Sequence, residues 1–162
     1  MLEDVPAHLE NILELIECLK SRDNTTNTQF PFPFSLDVVS LYTSIPLEEA
    51  IENIINRIST STMSLTKEDI KELLIVTLSN MFFTFDSSVF CQIEGLPMGS
   101  SVSDMLAIVF MDKLERMALL SYQFISLYTR YVDDIHVYAQ TINEEHANEI
   151  HRNMNQACTS KD

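Results

Sequence analysis

Asp133 and Asp134 stand side by side in ISLYTRYVDDIHVYAQT, residues 125–141, between two runs rich in Ile, Val, Tyr and Thr. Such residues suit a pleated, half-buried surface, so the stretch predicts a hairpin: 125–131 going up, a turn at 132–134, and 135–140 coming back. Two adjacent carboxylates at a tight turn repel each other, and a divalent cation would offset that. Mg²⁺ suits the role, because it takes one or two protein carboxylates and completes its shell with waters and substrate phosphates. Asp-Asp is also simply a good turn dipeptide, and the hairpin alone does not choose between the two. A third acid weighs in. Asp37 interrupts a nearly continuous apolar run at 34–39, which reads as a buried strand. An isolated charge in such a strand is very costly, so Asp37 must be paired or must bind metal. Three carboxylates on adjacent strands can hold two metal ions about 3.5–4 Å apart, which activates an attacking hydroxyl and steadies a departing pyrophosphate in an in-line displacement.

Glycine gives the second group of candidates. Ordinary usage of about 7% would place roughly eleven glycines in this length, and the chain has 2. Both, Gly95 and Gly99, fall in GLPMGS at 95–100. Glycine is the default where backbone takes unusual angles or comes close to a ligand; the plain alternative is an ordinary hairpin-to-helix turn. Tyr42 lies just past the strand that carries Asp37, with packing under the next helix as its plain alternative. His136 follows Asp134 closely but reads as a hairpin surface residue. His146 and His151 have the wrong helical spacing to share a metal. The eight Met residues are scattered and read as core filler.

The positioning elements follow from periodicity. Residues 8–20 read as a helix with Leu9, Ile12, Leu13, Ile16 and Leu19 on one stripe, followed by a polar linker at 21–29. Pro31 and Pro33 favour an extended approach to the Asp37 strand. A helix begins at Pro46, a residue suited to a first turn, with Leu47, Ala50, Ile51, Ile54, Ile55 and Ile58 inward. The next opens at Thr66, where Asp69 forms a capping-box variant and Leu65 and Ile70 a hydrophobic staple, and runs to about residue 80. Residues 81–85 and 89–93 flank the turn 86–88 as a second hairpin. After the glycine loop, 102–120 is a long helix, apolar nearly all round in its first half and therefore buried. Residues 143–157 close the chain as a helix with Ala147, Ile150 and Met154 inward. No internal repeat and no second domain are visible.

The bulk properties narrow the class. The length supports one domain with a real core, and apolar content of 46% is ordinary for a globular protein. No apolar run reaches the roughly 18 residues of a membrane span, and the acidic start lacks the features of a secretory signal. Cys18, Cys91 and Cys158 form neither a metal nor a disulfide pattern, so an intracellular, reducing setting is expected. Ten Lys and Arg against 24 Asp and Glu leave a net charge of −14, the opposite of a phosphate-binding footprint.

SLDVVSLYTSIP, GLPMGSSVSDMLA and RYVDD, in that order, resemble motifs A, B and C of the reverse transcriptase palm. The nearest likeness is to Penelope-like retroelements, whose enzymes are kin to the telomerase catalytic subunit. The spacing and the intervening helices and hairpin agree, so the likeness covers about residues 30–157. It implies an α+β fold, a polymerase palm with a small antiparallel sheet packed on helices. Residues 1–29 would then be an N-terminal helix and linker, and 158–162 a truncated tail. The implied activity is RNA-directed DNA polymerisation, two-metal nucleotidyl transfer of dNMP to a primer 3′-hydroxyl. Asp37, Asp133 and Asp134 match the catalytic, metal-binding aspartates, and the Val38 carbonyl a backbone ligand of two Mg²⁺ ions, with Mn²⁺ as a substitute. Tyr42 matches the aromatic gate that crowds a ribose 2′-hydroxyl. Gly95, Leu96, Pro97, Met98 and Gly99 match the loop lying against the incoming nucleotide and template base. Implied partners are an RNA template, a DNA primer and dNTPs, in a nuclear setting for the parent element, with no membrane.

The departures are specific. Ser101 and Asp104 stand where the family usually has Pro. The 36 residues before Asp37 hold no basic motif like that of the fingers. Nothing after Ala157 resembles a thumb, so the chain is expected to be a fragment, inactive alone. Two further readings follow: a catalytically silent remnant acting as an interaction module, and an RNA-templated RNA polymerase, against which Tyr42 counts. An unrelated acidic phosphohydrolase would leave the glycine loop unexplained.

Overall fold

The computed structural model describes residues 5–23, 32–59, 64–79, 81–119, 125–139 and 144–159. The expected linker from 24 onward and the last residues of the expected tail lie outside them. Contacts divide the chain into two compact units, one holding Val5–Val39 and Asp112–Asp162, the other Ser40–Met111. Among the described residues no helix is long and apolar enough to cross a membrane.

The first unit is built on a three-stranded antiparallel sheet. Strands β1 (Phe32–Asp37), β4 (Ile125–Tyr131) and β5 (Asp134–Ala139) lie in the order β1-β5-β4. Along β5 exposure alternates: Ile135, Val137 and Ala139 are buried, whereas Asp134 is exposed and His136 and Tyr138 are half-buried. Along β1, Phe34 and Leu36 are half-buried while Pro33, Ser35 and Asp37 are exposed. This corrects the expected buried strand. An antiparallel sheet can bury one face and leave the other open, and Asp37 falls on the open one.

The N-terminus also differs from expectation. Helix α1 spans Ile12–Asp23 rather than starting at 8, because Asn11 caps it. Its side-chain oxygen accepts from the amides of Leu13 (2.9 Å) and Glu14 (3.2 Å). Ahead of the cap, His8 forms a parallel bridge with Arg130 on the outer edge of β4. Leu9 is buried, but Ile12 and Leu13 are each 65% exposed, so the apolar stripe is not a core face. Helix α6 (Glu144–Thr159) buries Ile150 and Met154.

The second unit holds helices α2 (Leu41–Ser44), α3 (Leu47–Arg57) and α4 (Lys67–Leu78), strands β2 (Phe82–Phe85) and β3 (Ser88–Cys91), and the start of α5 (Ser101–Leu119). Pro46 stands at the N-cap position of α3, one residue before the helix begins, and Ala50, Ile51 and Ile54 are buried as the period predicts. Thr66 and Asp69 form the expected capping box of α4: each side chain accepts from the other residue's amide. The β2–β3 turn is tighter than expected. Asp86 (φ 47°) and Ser87 (φ 61°) are both left-handed, the two-residue turn whose twist matches a hairpin. Burial in α5 reaches past its first half, to Asp112 and Glu115.

Candidate nucleotidyl-transfer site

The acids of the first unit gather at one end of its sheet. Asp37 lies directly opposite Asp134 in the β1–β5 ladder, and Tyr131 lies opposite Asp134 from β4. Directly opposed residues project from the same face, so Asp37 and Asp134 share the open face. Asp133 is the neighbouring turn residue, exposed like the other two. The Val38 N–H donates to the Asp133 carbonyl at 3.1 Å, which extends the ladder past Asp37 and ties the end of β1 to the turn. Among the described residues no three His, Cys, Asp or Glu side chains form a ready metal cluster. The backbone assembles an opposed pair of carboxylates with a third beside it. That donor set, all hard oxygen, fits a cation such as Mg²⁺ that leaves much of its shell to water and phosphate.

The turn that carries Asp133 is strained. Val132 has φ 54°, and a β-branched residue in the left-handed region is a genuine outlier. Such strain persists only where the surroundings impose it. The inward face of the sheet supplies the constraint. Arg130 is fully buried, donates from Nη1 to the Val132 carbonyl at 3.0 Å and from Nε to Oε1 of Glu115 on α5. Tyr128 donates to the same Glu115 oxygen at 3.1 Å. Burial pushes the Glu115 carboxyl above the usual carboxylate range, while Arg130 and Tyr128 pull it back only in part. Burial, and then the Glu115 charge, push the Tyr128 hydroxyl up as well.

The nucleotide-loop candidates gather in the second unit. The Leu96 N–H donates to the Tyr42 carbonyl at 2.7 Å, so the glycine loop lies on the backbone of α2. Gly95 makes that approach possible: a Cβ there would sit 2.6 Å from Thr43 Cα and 2.7 Å from its carbonyl oxygen, at a φ of +78°. Gly99 (φ +87°) has no described neighbour within 4 Å of a Cβ and favours glycine for its angle. Leu96 and Pro97 are buried, whereas Met98 is 67% exposed. Gln92 buttresses the loop, donating to the carbonyls of Glu94 (2.8 Å) and Leu96 (3.2 Å). The Tyr42 hydroxyl donates to Asp104 Oδ1 at 2.7 Å, so the acid that departs from the family pattern holds the ring by its far end.

Sequence reasoning missed Arg130, Glu115, Thr43 and Gln92. For Arg130 a signal existed. Period-two alternation places it with Tyr128 on the inward face, where an unpaired charge would be prohibitive and a partner had to be sought.

A small antiparallel sheet with acids at its turn end, joined in sequence to a glycine loop that opens a buried helix, defines a polymerase palm-like domain. The sequence model of the reverse transcriptase (RNA-dependent DNA polymerase) family matches residues 7–161, and the chain belongs to that family. Among solved structures it is similar to telomerase from Candida albicans in complex with a TWJ fragment of telomeric RNA. The TM-score is 0.70 at 14% identity, over 93% of this chain and 29% of that one. At that identity the likeness speaks for the fold, and the chain spans under a third of its neighbour's length. No curated protein matches the sequence.

Proposed function

We propose that the chain is the palm of an RNA-directed DNA polymerase of a retroelement, Penelope-like in its motifs, acting on an RNA template, a DNA primer and dNTPs. The observation that carries this reading is the opposition of Asp37 and Asp134 beside the strained turn bearing Asp133. Asp37, Asp133 and Asp134, with the Val38 carbonyl, would hold two Mg²⁺ ions, for which Mn²⁺ can substitute. Bound there, the ions supply activation of the primer 3′-hydroxyl and charge relief for the departing pyrophosphate. The chain's own part is placement. The β1–β5 ladder sets two carboxylates on one open face, and the Val38–Asp133 bond fixes the third acid's backbone. Tyr42 would lie under the sugar and reject a 2′-hydroxyl, with Gly95, Leu96, Pro97, Met98 and Gly99 against the nucleotide. The domain that does this covers residues 30–157, and a nuclear setting follows from the class of element.

Mn²⁺ titration of the purified chain, followed by electron paramagnetic resonance, tests the reading. Weak binding is expected, because carboxylates without substrate phosphates make an incomplete shell. Asp37→Asn and Asp133→Asn should each weaken it and the pair abolish it. Binding that survives both substitutions sinks the assignment.

A further inference from the structure

We propose that Arg130 is the positioning residue of the Asp133 turn. From the buried face of the sheet its guanidinium holds Val132 in the left-handed conformation that sets Asp133 beside Asp37 and Asp134. The functional part of this inference rests on the reading of those acids as the metal site; the conformational part does not.

Three observations carry it. Arg130 is fully buried, in a sheet whose inward neighbours Ile135 and Val137 are apolar. A buried ion pair is often no more stabilising than well-packed apolar residues of similar size, so Arg130 calls for a reason beyond packing. That reason is its second hydrogen bond, from Nη1 to the Val132 carbonyl at 3.0 Å, which no apolar residue could make. The guanidinium is itself aimed. Its Nε is held by Glu115 of α5. Its backbone is clamped on the outer edge of β4, where the Arg130 N–H donates to Ala7 at 2.7 Å and its carbonyl accepts from Leu9 at 2.8 Å. Finally, Val132 at φ 54° occupies a region that a β-branched residue leaves when nothing holds it there. Relaxing Val132 would rotate the following peptide and re-aim Asp133, whose carbonyl also takes the Val38 amide.

The chain itself serves for the test. Arg130→Met alone strands Glu115 without its cation, so the informative variant is Arg130→Met with Glu115→Leu, which removes both members of this pair. Arg130→Lys is the companion: it keeps a cation for Glu115 but lacks the fork that bonds two partners at once. In both, circular dichroism should show a folded chain. NMR couplings and carbon shifts should show Val132 leaving positive φ, and exchange of the Val38 amide should accelerate at least about ten-fold. Mn²⁺ affinity should fall by about ten-fold or more, the range for residues behind a metal ligand. If Val132 keeps positive φ and Mn²⁺ binds as in the parent, Arg130 is a core ion pair and nothing more. If Asp133→Asn leaves Mn²⁺ binding intact, the metal reading falls. The Val132 angle alone then decides whether Arg130 holds the turn.

Discussion

Gly95 and Gly99 share a sign of φ but not a reason for it. An added methyl at Gly99 meets nothing within 4 Å among the described residues, so Gly99→Ala should lose only the left-handed penalty, about 1–2 kcal/mol. At Gly95 the same methyl meets Thr43 backbone at 2.6 Å. Backbone cannot swing aside as a side chain can, so Gly95→Ala should cost at least about 3 kcal/mol, with core overpacking added to the angle. Urea unfolding of the two variants checks the difference, and equal losses would mean that the loop does not seat on α2. The Tyr42–Asp104 bond belongs to the same scale. In a polymerase containing this palm, Tyr42→Ala should raise ribonucleotide incorporation relative to deoxynucleotide by an order of magnitude or more. Asp104→Ala, which removes that hydrogen bond but leaves the ring in place, should raise it less. An unchanged ratio in Tyr42→Ala returns the ring to a packing role.

Between elements, His8 ties the N-terminal segment to the outer edge of β4 through an isolated parallel bridge. Burial lowers the His8 pKa, and the Arg130 charge lowers it further, against weaker pulls upward from Glu10 and Glu14. Its Nδ1 is buried without a hydrogen-bond partner among the described residues. The unfolded segment therefore takes a proton more readily than the bridged one. Stability from the bridge is full above the ordinary value of 6.5 and declines as pH falls below it. Protection of the Leu9 and Arg130 amides should drop between about pH 7 and 5, and His8→Gln should remove the pH dependence. Helix α4 gives a cleaner case: Thr66→Ala breaks its capping box and should cost about 1 kcal/mol. That box was legible because capping is local chemistry written in adjacent residues, and so were the inward face of α3 and the hairpin around Asp133 and Asp134. The start of α1 was not. A run of Leu and Ile suits a helix, yet Asn11 ends the extended segment and His8 pairs with a residue more than a hundred positions away. Asp37 was singled out for a reason the fold does not share. Read as a buried charge, it proves to be an exposed one that stands opposite Asp134. Pairing of that kind depends on register between distant strands, which no local pattern fixes.

For the whole molecule, charge decides what this chain can do by itself. Phosphoryl transfer between two metals depends chiefly on positioning and on charge stabilisation. On the proposed two-metal reading the sheet would supply positioning for the metals, but a triphosphate also needs cationic donors and a duplex needs a surface that neutralises its phosphates. With 10 basic residues against 24 acidic ones, net −14, the chain offers little of either. Among the basic residues, Arg130 is fully buried and Arg116 is engaged with Asp112 at 2.9 Å. Each missing phosphate contact weakens duplex association and flattens its dependence on salt. The purified chain, supplied with a primed RNA template, Mg²⁺ and dNTPs, should therefore give no detectable extension. Its duplex binding should be weak even at low salt, with only a shallow dependence on added salt. Joined to the cationic parts of a related polymerase, the same residues should support synthesis that Asp133→Asn removes. Robust extension by the chain alone would mean that the carboxylate end of this sheet can capture both triphosphate and duplex through metal alone. The steep repulsion expected from its acidic surface would then have to be screened by the ions it binds.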